Sequence, residues 1–262
     1  TNNTALGTYA LASNTTGSQN VAIGDYALDA AHTGSSNIAI GSTALTDCTS
    51  GGQNLAIGKE ALFDLTSGHN NTSIGFRSQK DIQTASNNTS LGNFSLEDNT
   101  TNNNVAIGYT AAQKNTTGTH NVAVGNDALR QNNYGSENVA IGAYAADAGT
   151  NISNTVAVGY NALTNTTNNH NTACGSKALE DTTSGSSNVA VGSLSLTDNI
   201  TGANNVAVGM SALRYGTSSS NNTAVGGAAL QNCTGGNNTA VGINALRFNT
   251  SGGVNTAVGR QA

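Results

Sequence analysis

The fold is decided by one short stretch, Asn20-Val21-Ala22-Ile23-Gly24, which recurs with small changes along the whole 262-residue chain. The glycine that ends the stretch is called position 0 of its repeat. Twelve of the fifteen intervals between successive glycines are 17 residues long and three are 16. Because a unit this short cannot bury a core alone, each unit has to stack on the next, and the repeat predicts a solenoid. The sixteen glycines are Gly7, Gly24, Gly41, Gly58, Gly75, Gly92, Gly108, Gly125, Gly142, Gly159, Gly175, Gly192, Gly209, Gly226, Gly242 and Gly259.

The residues around each glycine alternate in type. Positions −3 and −1 are mostly Val, Ile or Leu, position −2 is Ala or Ser, and position +4 is Leu in twelve of fifteen repeats. This period of two predicts a strand before the glycine. Since Val and Ile suit a packed, pleated surface, we expect positions −3 and −1 to form the core with the +4 Leu. A glycine corner, a short second strand and a polar turn complete the expected coil.

These features predict an all-β fold, a parallel β-solenoid of about 16 coils that forms a single array over residues 1–262. Both ends of the chain fall inside a repeat, which favours a fragment of a longer fibre that is uncapped at both ends. At ~4.8 Å per coil the array is expected to form a rod on the order of 70 Å long.

The alanine at position −2 indicates a contact between subunits. It is expected on the face opposite the Val/Ile core, yet it accepts only Ala and, twice, Ser. A small side chain allows close approach, and the natural occupant is another copy of the chain. The predicted interface residues are Ala22, Ala39, Ala56, Ala106, Ala123, Ala140, Ala157, Ala190 and Ala207.

Position −4 is Asn in fifteen of sixteen repeats. Stacked amides ~4.8 Å apart can form a hydrogen-bonded ladder. The alternative is that Asn suits a left-handed or turn backbone at the entry to the strand, and the two interpretations are compatible. The ladder residues are Asn20, Asn37, Asn54, Asn71, Asn88, Asn104, Asn121 and Asn138.

Composition and spacing argue against catalysis and against several partners. The net charge of −5 disfavours nucleic acid, and no apolar run approaches the ~20 residues that span a bilayer. His32, His69, His120 and His170 lie in turns many coils apart and are expected to be solvated. No enzyme activity, cofactor, metal or membrane insertion is therefore predicted. Asp47, Asp64, Asp81 and Asp98 form a stripe at position +6 in four consecutive coils, for which a solvated edge is favoured over calcium.

Three further features stand out from the repeat. Cys174 is expected to be a small core residue, whereas Cys48 and Cys233 share one repeat position but lie eleven coils apart and cannot pair. Aromatic residues gather at positions +1 and +2, where they either contact a surface ligand or cover a corner or subunit seam. They are Tyr9, Tyr26, Phe76, Phe94, Tyr109, Tyr144 and Tyr160. The coil from Gly75 to Gly92 is the least regular, with Gln79 in place of Leu.

The unit Asn-Val-Ala-Ile-Gly-x-x-Ala, as in Asn20 to Ala27 and Asn138 to Ala145, resembles the repeat of trimeric autotransporter adhesin heads. The longer unit with its Asn-Thr-Thr-Gly turn also resembles repeats of bacterial surface and phage tail-fibre proteins. The resemblance implies a left-handed parallel β-roll, a side-by-side homotrimer and an extracellular place on a bacterial surface or virion fibre. It implies attachment to a host-surface glycan or protein receptor.

Two other functions are compatible with parts of the pattern. The first is a structural filament that grows by end-to-end stacking, since uncapped coils expose strand edges. The second is ice binding, which requires a flat ladder of threonines. We expect the threonines at position −3 to face the core, which disfavours it. They are Thr4, Thr72, Thr89, Thr172, Thr223, Thr239 and Thr256.

Overall fold

The chain folds as an all-β, parallel β-solenoid of about 15 turns with a period of about 17 residues. The computed structural model describes residues 2–30 and 32–262, and in these residues every strand is three residues long and no helix occurs. The described solenoid divides into two compact units, Thr1–Ser136 and Glu137–Ala262. Each unit contains eight of the strands. The expectation of one uninterrupted array over the whole chain stays a prediction.

In the first unit, consecutive strands are neighbours and pair in parallel. The register places equal repeat positions side by side, so that Ala22 faces Ala39 and Ala39 faces Ala56. Each residue of a strand therefore stacks on its own counterpart in the next coil. The strands are β1 (Thr4–Leu6), β2 (Val21–Ile23), β3 (Ile38–Ile40), β4 (Leu55–Ile57), β5 (Thr72–Ile74), β6 (Thr89–Leu91), β7 (Val105–Ile107) and β8 (Val122–Val124).

The second unit repeats this pattern with the same register, in which Ala190 faces Ala207 and Ala207 faces Ala224. The shorter 16-residue intervals do not shift the strands, because β10 still pairs with β11 position by position. The strands are β9 (Val139–Ile141), β10 (Val156–Val158), β11 (Thr172–Cys174), β12 (Val189–Val191), β13 (Val206–Val208), β14 (Thr223–Val225), β15 (Thr239–Val241) and β16 (Thr256–Val258).

The core of each coil lies on the alanine side of the strand, and the expectation that positions −3 and −1 form the core is wrong. Ala22 at position −2, Ala27 at +3 and Leu28 at +4 are fully buried, whereas Val21 and Ile23 are partly exposed. The +4 side chain, usually Leu, fills much of the interior of the coil, and small residues on the strand leave room for it. A coil this thin has no space for two further β-branched side chains.

The segment after the glycine is a run of turns, so the predicted second strand is wrong. The N–H groups of Ala10 and Ala12 donate to the carbonyls of Gly7 and Tyr9, each at 3.3 Å. Tyr9 and Leu11, the third residues of these two turns, have φ of 56° and 54°. A positive φ at that position is the geometry of a type II turn, and it costs ~1–2 kcal/mol for a residue with a Cβ. Hydrogen bonds between coils, such as Leu11 N–H to the Ala27 carbonyl at 2.9 Å, offset that cost.

The glycine at position 0 is required twice over. Gly58 has a φ of +131°, a region that side chains oppose. A Cβ added to Gly58 would also lie 2.4 Å from the carbonyl oxygen of Gly75 in the next coil. The same two conditions recur in coil after coil, because stacked coils bring each glycine directly against the next. Glycine at this fixed interval is thus needed for the close stacking of the coils as well as for the corner in the chain.

Asparagines at position −4 form a buried ladder within each unit. The backbone N–H of Asn37 donates to Asn20 Oδ1 at 2.9 Å, and that of Asn54 donates to Asn37 Oδ1 at 3.0 Å. Asn37 Nδ2 also donates to the carbonyl of Gly51, on the turn of its own coil, at 2.9 Å. The amide therefore ties the strand to the turn and to the preceding coil. The ladder residues named above have at most 2% of their surface exposed.

The left-handed backbone belongs to the residue before each ladder asparagine, which contradicts the alternative explanation for the Asn column. Gln19 and Ser36 at position −5 have φ of 60° and 62°, while Asn20 and Asn37 have no positive φ. Asparagine is therefore selected for its amide, which can donate and accept at once.

We expect Gly58→Ala to lower the free energy of unfolding by about 2–6 kcal/mol, from backbone strain and overpacking together. Gly227→Ala is the matched control, because its Cβ would meet nothing within 4 Å and its backbone is not left-handed. That control is expected to be neutral or slightly stabilising. Urea unfolding followed by circular dichroism measures both. Equal stabilities of the two variants would contradict the stacking requirement.

Candidate functional site

The most distinctive surface is the outer side of the strands, here called the outward face. It consists of the −3 and −1 side chains, which parallel stacking arranges in two columns. Ile141, Val191 and Val208 remain 40%, 38% and 37% exposed, although each lies between neighbouring coils. The outward face comprises the first and third residues of every strand. These are the strands β1 to β8 in the first unit and β9 to β16 in the second.

No charged residue occupies any of the 32 positions of the outward face. Twenty-four are Val, Ile or Leu, seven are Thr and one is Cys. Scattered apolar residues are ordinary on a protein surface, but a continuous apolar stripe rimmed by polar residues is typical of an interaction surface. The outward face therefore has the chemistry of a contact that is not made within one chain.

The predicted alanine interface is wrong. All nine of its residues, Ala22, Ala39, Ala56, Ala106, Ala123, Ala140, Ala157, Ala190 and Ala207, have 0% exposure in the single chain. A second chain has no access to them. Their small size is explained by the interior of the coil itself, where they face the +3 and +4 side chains. The surface available for association lies on the other side of the same strands.

The three cysteines divide between interior and surface. Cys48 and Cys233 are buried, and burial raises the pKa of the Cys48 thiol to about 12 and also raises the pKa of Cys233. Cys174 is exposed at position −1, on the outward face. The expectation that Cys174 is a core residue is therefore wrong, for the same reason as the alanine interface. It is the one exposed cysteine of the chain.

The threonines at position −3 lie on the outward face, so the expectation that they face the core is wrong. Thr72 and Thr172 are partly exposed, and Thr89 is exposed. The geometric argument against ice binding is therefore lost. What remains is composition, because Thr occupies seven of sixteen −3 positions and is interrupted by Val, Ile and Leu. A thermal-hysteresis assay still tests this hypothesis.

The aromatic residues at +1 and +2 contact one another across adjacent coils. Tyr9 and Tyr26 stack with ring centroids 5.0 Å apart, and Tyr144 meets Tyr160 edge to face at 6.1 Å. Phe76, Phe94 and Tyr109 form a third run of edge-to-face pairs at 5.2 and 6.0 Å. The five tyrosines among the seven predicted contact residues are 39–57% exposed. These ring pairs stabilise the stack and leave a partly exposed aromatic rim on the surface.

The acidic stripe at +6 is partly neutralised by lysines. Lys80 Nζ lies 3.0 Å from Asp81 Oδ1, and Lys114 Nζ lies 3.1 Å from Asp98 Oδ2. Burial, opposed by Lys80 and reinforced by Asp81 and Asp47, raises the pKa of Asp64. In residues 2–30 and 32–262 no group of three or more His, Cys, Asp or Glu side chains is placed to hold a metal ion. Calcium along this stripe gains no support from the geometry.

Three of the four histidines are exposed, as expected, but His32 is fully buried. His32 Nδ1 lies 2.9 Å from the carbonyl of Cys48, and Asn37 Nδ2 lies 3.1 Å from His32 Nε2. Since a carbonyl only accepts and an amide nitrogen only donates, Nδ1 carries the proton and Nε2 accepts. Burial lowers the pKa of His32, against hydrogen bonds to Cys48 and Gly34 that raise it.

Sequence reasoning also missed an interior column at position +7. Cys48, Leu65, Ile82, Asn99 and Asn115 are all fully buried there. Polar members close the turn, as when Asn115 Nδ2 donates to the Gly118 carbonyl at 2.9 Å. The column falls in a turn, where alternation along a strand carries no information. Its only signal was the shared position of Cys48 and Cys233.

The comparisons with known proteins give no family for this chain. A scan against protein-family models, a search of curated proteins and a search of solved structures each found no match. Among the described residues no helix is long and apolar enough to span a bilayer. The β-solenoid is consistent with a β-roll repeat, and the identity as adhesin or tail fibre stays a proposal.

We expect His32 to make the stability of the fold depend on pH below ~6.5, the ordinary pKa of histidine in the unfolded chain. Because the folded-state pKa is lowered, the unfolded state binds a proton first as pH falls. The free energy of unfolding then falls by up to about 1.4 kcal/mol per pH unit until the folded-state pKa is reached. Urea unfolding between pH 8 and 5 measures the slope. His32→Asn should flatten it and His170→Asn, at an exposed turn, should not; equal slopes in all three proteins would contradict the assignment.

Proposed function

We propose that the chain is a non-enzymatic segment of an extracellular fibre, a rigid β-solenoid that associates side by side with two further copies and serves attachment to a cell surface or receptor. The observation that carries the proposal is the uncharged, apolar outward face. The number three and the extracellular setting rest on the resemblance to trimeric adhesin heads. A bacterial surface adhesin and a phage tail fibre both fit this description.

The interior of the coil is already buried within a single chain and needs no partner. This leaves the outward face as the surface for the proposed association. The leucines at +4, the alanines at −2 and +3 and the Asn ladder are buried within one chain in the internal coils. The outward face is an apolar surface that the coils leave partly uncovered. Burying the exposed third of a Val or Ile side chain contributes on the order of 0.5–1 kcal/mol. Over two dozen such side chains this amounts to roughly 12–24 kcal/mol, which matches or exceeds the ~4–15 kcal/mol cost of association.

The direction of the outward face favours lateral association over end-to-end stacking. Its side chains point away from the coil, perpendicular to the stacking direction, so a copy that covers them lies alongside. End-to-end stacking into a filament remains the alternative. Electron micrographs separate the two: rods of one length support a closed lateral assembly, and lengths that grow with protein concentration support the filament.

The aromatic rim and the polar turns are the surfaces left for a receptor in such an assembly. Tyr9, Tyr109 and Tyr160 are more than half exposed, and a rim of exposed rings suits sugars or an apolar patch of a protein. A glycan or protein receptor on a host surface is therefore the proposed partner class. Binding of the labelled assembly to cells tests that role. The comparison is a variant with Tyr109→Ser and Tyr160→Ser that keeps the same number of chains per assembly.

We expect Val191→Lys with Val208→Lys to dissociate the assembly, because lateral packing would bury like charges without partners. Light scattering should give three times 26.1 kDa for the unaltered protein and a single-chain mass for the variant. The control is Ser184→Lys with Thr201→Lys, at exposed positions of the turns that precede the same two strands. It adds equal charge away from the outward face and should keep the mass.

Two outcomes would overturn the lateral assembly. The first is a single-chain mass of the unaltered protein at micromolar concentration. The second is an unchanged mass of the Val191→Lys, Val208→Lys variant with native circular dichroism, since the outward face would then be free in the assembly. If the control variant with Ser184→Lys and Thr201→Lys also dissociated to single chains, the result would indicate an interface at the turns instead.

Cys174 offers a second test that uses the natural sequence. If copies lie parallel and in register, their Cys174 thiols lie at the same height on facing surfaces. Mild oxidation should then give a disulfide-linked dimer on a non-reducing gel, with the third chain of each assembly unlinked. Cys174→Ser should abolish the dimer, because Cys48 and Cys233 are buried. An antiparallel or staggered assembly predicts no crosslink.

A further inference from the structure

Two consecutive coils in the first unit have a partly polar interior. Elsewhere the inward positions −2, +3 and +4 are mostly Ala, Ala and Leu. Around Gly75 and Gly92 they carry serines and a glutamine, and none of these side chains is exposed. This set, here called the Ser/Gln cluster, comprises Ser73, Ser78, Gln79, Ser90 and Ser95.

The cluster is held together by hydrogen bonds that cross from one coil to the next. Gln79 Nε2 donates to the Thr72 carbonyl of its own coil at 2.9 Å and to Ser90 Oγ of the following coil at 2.7 Å. Ser78 Oγ is hydrogen-bonded to Ser90 Oγ and, at 3.1 Å, to Ser95 Oγ. The coil of Gly75 therefore finds its polar partners in the coil of Gly92.

Stability alone does not explain the Ser/Gln cluster. Gln79 Oε1 is buried without a hydrogen-bond partner, which is a cost that Leu at the same position avoids. Buried polar networks are often no more stable than apolar packing of the same shape. What such a network supplies is discrimination between alternative arrangements.

A solenoid of near-identical coils has an alternative arrangement to exclude. Coils with Ala, Ala and Leu inside fit one another in any order, so a coil can be skipped during folding. If the coil of Gly92 were skipped, Gln79 and Ser78 would face Ala106, Ala111 and Ala112, which carry no polar side-chain atom. The three hydrogen bonds that Gln79 and Ser78 make to the coil of Gly92 would then be lost, which is expected to disfavour this stacking by about 100-fold.

The surface of the same coil selects the same neighbours. Arg77 Nε lies 2.9 Å from Glu60 Oε2 in the preceding coil, and Arg77 Nη1 lies 3.6 Å from Glu97 Oε1 in the following one. One arginine thus bridges two carboxylates across three coils. Interior and surface contacts both depend on the native order of stacking.

We propose that the Ser/Gln cluster is a register lock, which makes the coil of Gly75 stack only on the coil of Gly92 and so prevents skipped or exchanged coils. The irregular sequence of this coil then specifies its neighbour in a repeat whose other coils are nearly interchangeable. The lock acts on folding and stacking order, and it does not depend on the proposed fibre function.

Cysteine pairs at position +1 report the stacking order. Adjacent coils are ~4.8 Å apart and coils separated by one are ~9.6 Å apart. Since a disulfide needs Cα atoms within about 7 Å, Phe76→Cys with Asn93→Cys reports native stacking. Phe76→Cys with Tyr109→Cys reports a skipped coil. Both pairs are placed in a Cys174→Ser background, refolded from urea, oxidised only after refolding and quantified by mass spectrometry.

The test variant replaces all five residues of the Ser/Gln cluster with the Ala and Leu of the other coils. We expect the skipped-coil disulfide to rise at least tenfold, while the thermal midpoint stays equal or rises. The control is Ser195→Ala, a buried +3 serine whose hydroxyl donates to the Gly192 carbonyl at 2.8 Å, and it should leave both disulfides unchanged. An unchanged skipped-coil yield in the test variant would overturn the lock. A variant that fails to fold would also overturn it, because the cluster would then be needed for stability.

Discussion

In-register stacking of like positions is the constraint on which the rest of this structure depends. Each residue meets its own counterpart one coil away, so a residue type is tolerated only where it packs well against itself. Glycine at position 0 satisfies this rule because a Cβ would collide with the next glycine. Asparagine at −4 satisfies it because an amide donates and accepts, and can hydrogen-bond to its own copy on both sides. Uniform columns are therefore a physical consequence of stacking.

The period, the strand positions and the all-β class were predictable from sequence, because they depend on spacing alone. The inside and outside of the strand were not, since a period of two defines two faces without saying which is buried. Val21 and Ile23 have higher β-propensity than Ala22, so β-propensity predicted that their side of the strand is buried, which is wrong. The deciding feature is the width of the coil, which is set by turns whose left-handed Tyr9 and Leu11 have no sequence signature. Non-glycine residues rarely adopt such φ values, so a strand was the more economical expectation there.

The finding that the alanine side of the strand is buried, and the Val/Ile side exposed, also changes how function is inferred. A column of invariant small residues suggested a contact between chains, yet the Ala column is explained entirely by its own coil. The informative columns are the apolar ones, because an uncharged row of partly exposed Val and Ile side chains has no explanation within a single chain. Cys174 follows this logic, as its replacement of Val or Ile is a change on a surface and not in a core. A candidate interaction surface could thus be located only after burial was known, although its residues were visible in the repeat.

Departures from the repeat carry a different kind of information. A solenoid gains stability from every additional like coil, but likeness also makes the coils interchangeable, and nothing in an Ala/Leu interior distinguishes one step from the next. His32 and the Ser/Gln cluster are the positions where this interior becomes specific. His32 has one tautomer because Cys48 and Asn37 supply one acceptor and one donor, and neither partner recurs in that arrangement elsewhere in the described chain. Gln79 shows that such a contact can carry a cost, because its buried Oε1 has no hydrogen-bond partner. With the register lock proposed above, the two kinds of residue have different roles: uniform columns hold the coils together, and the polar exceptions determine which coil lies beside which.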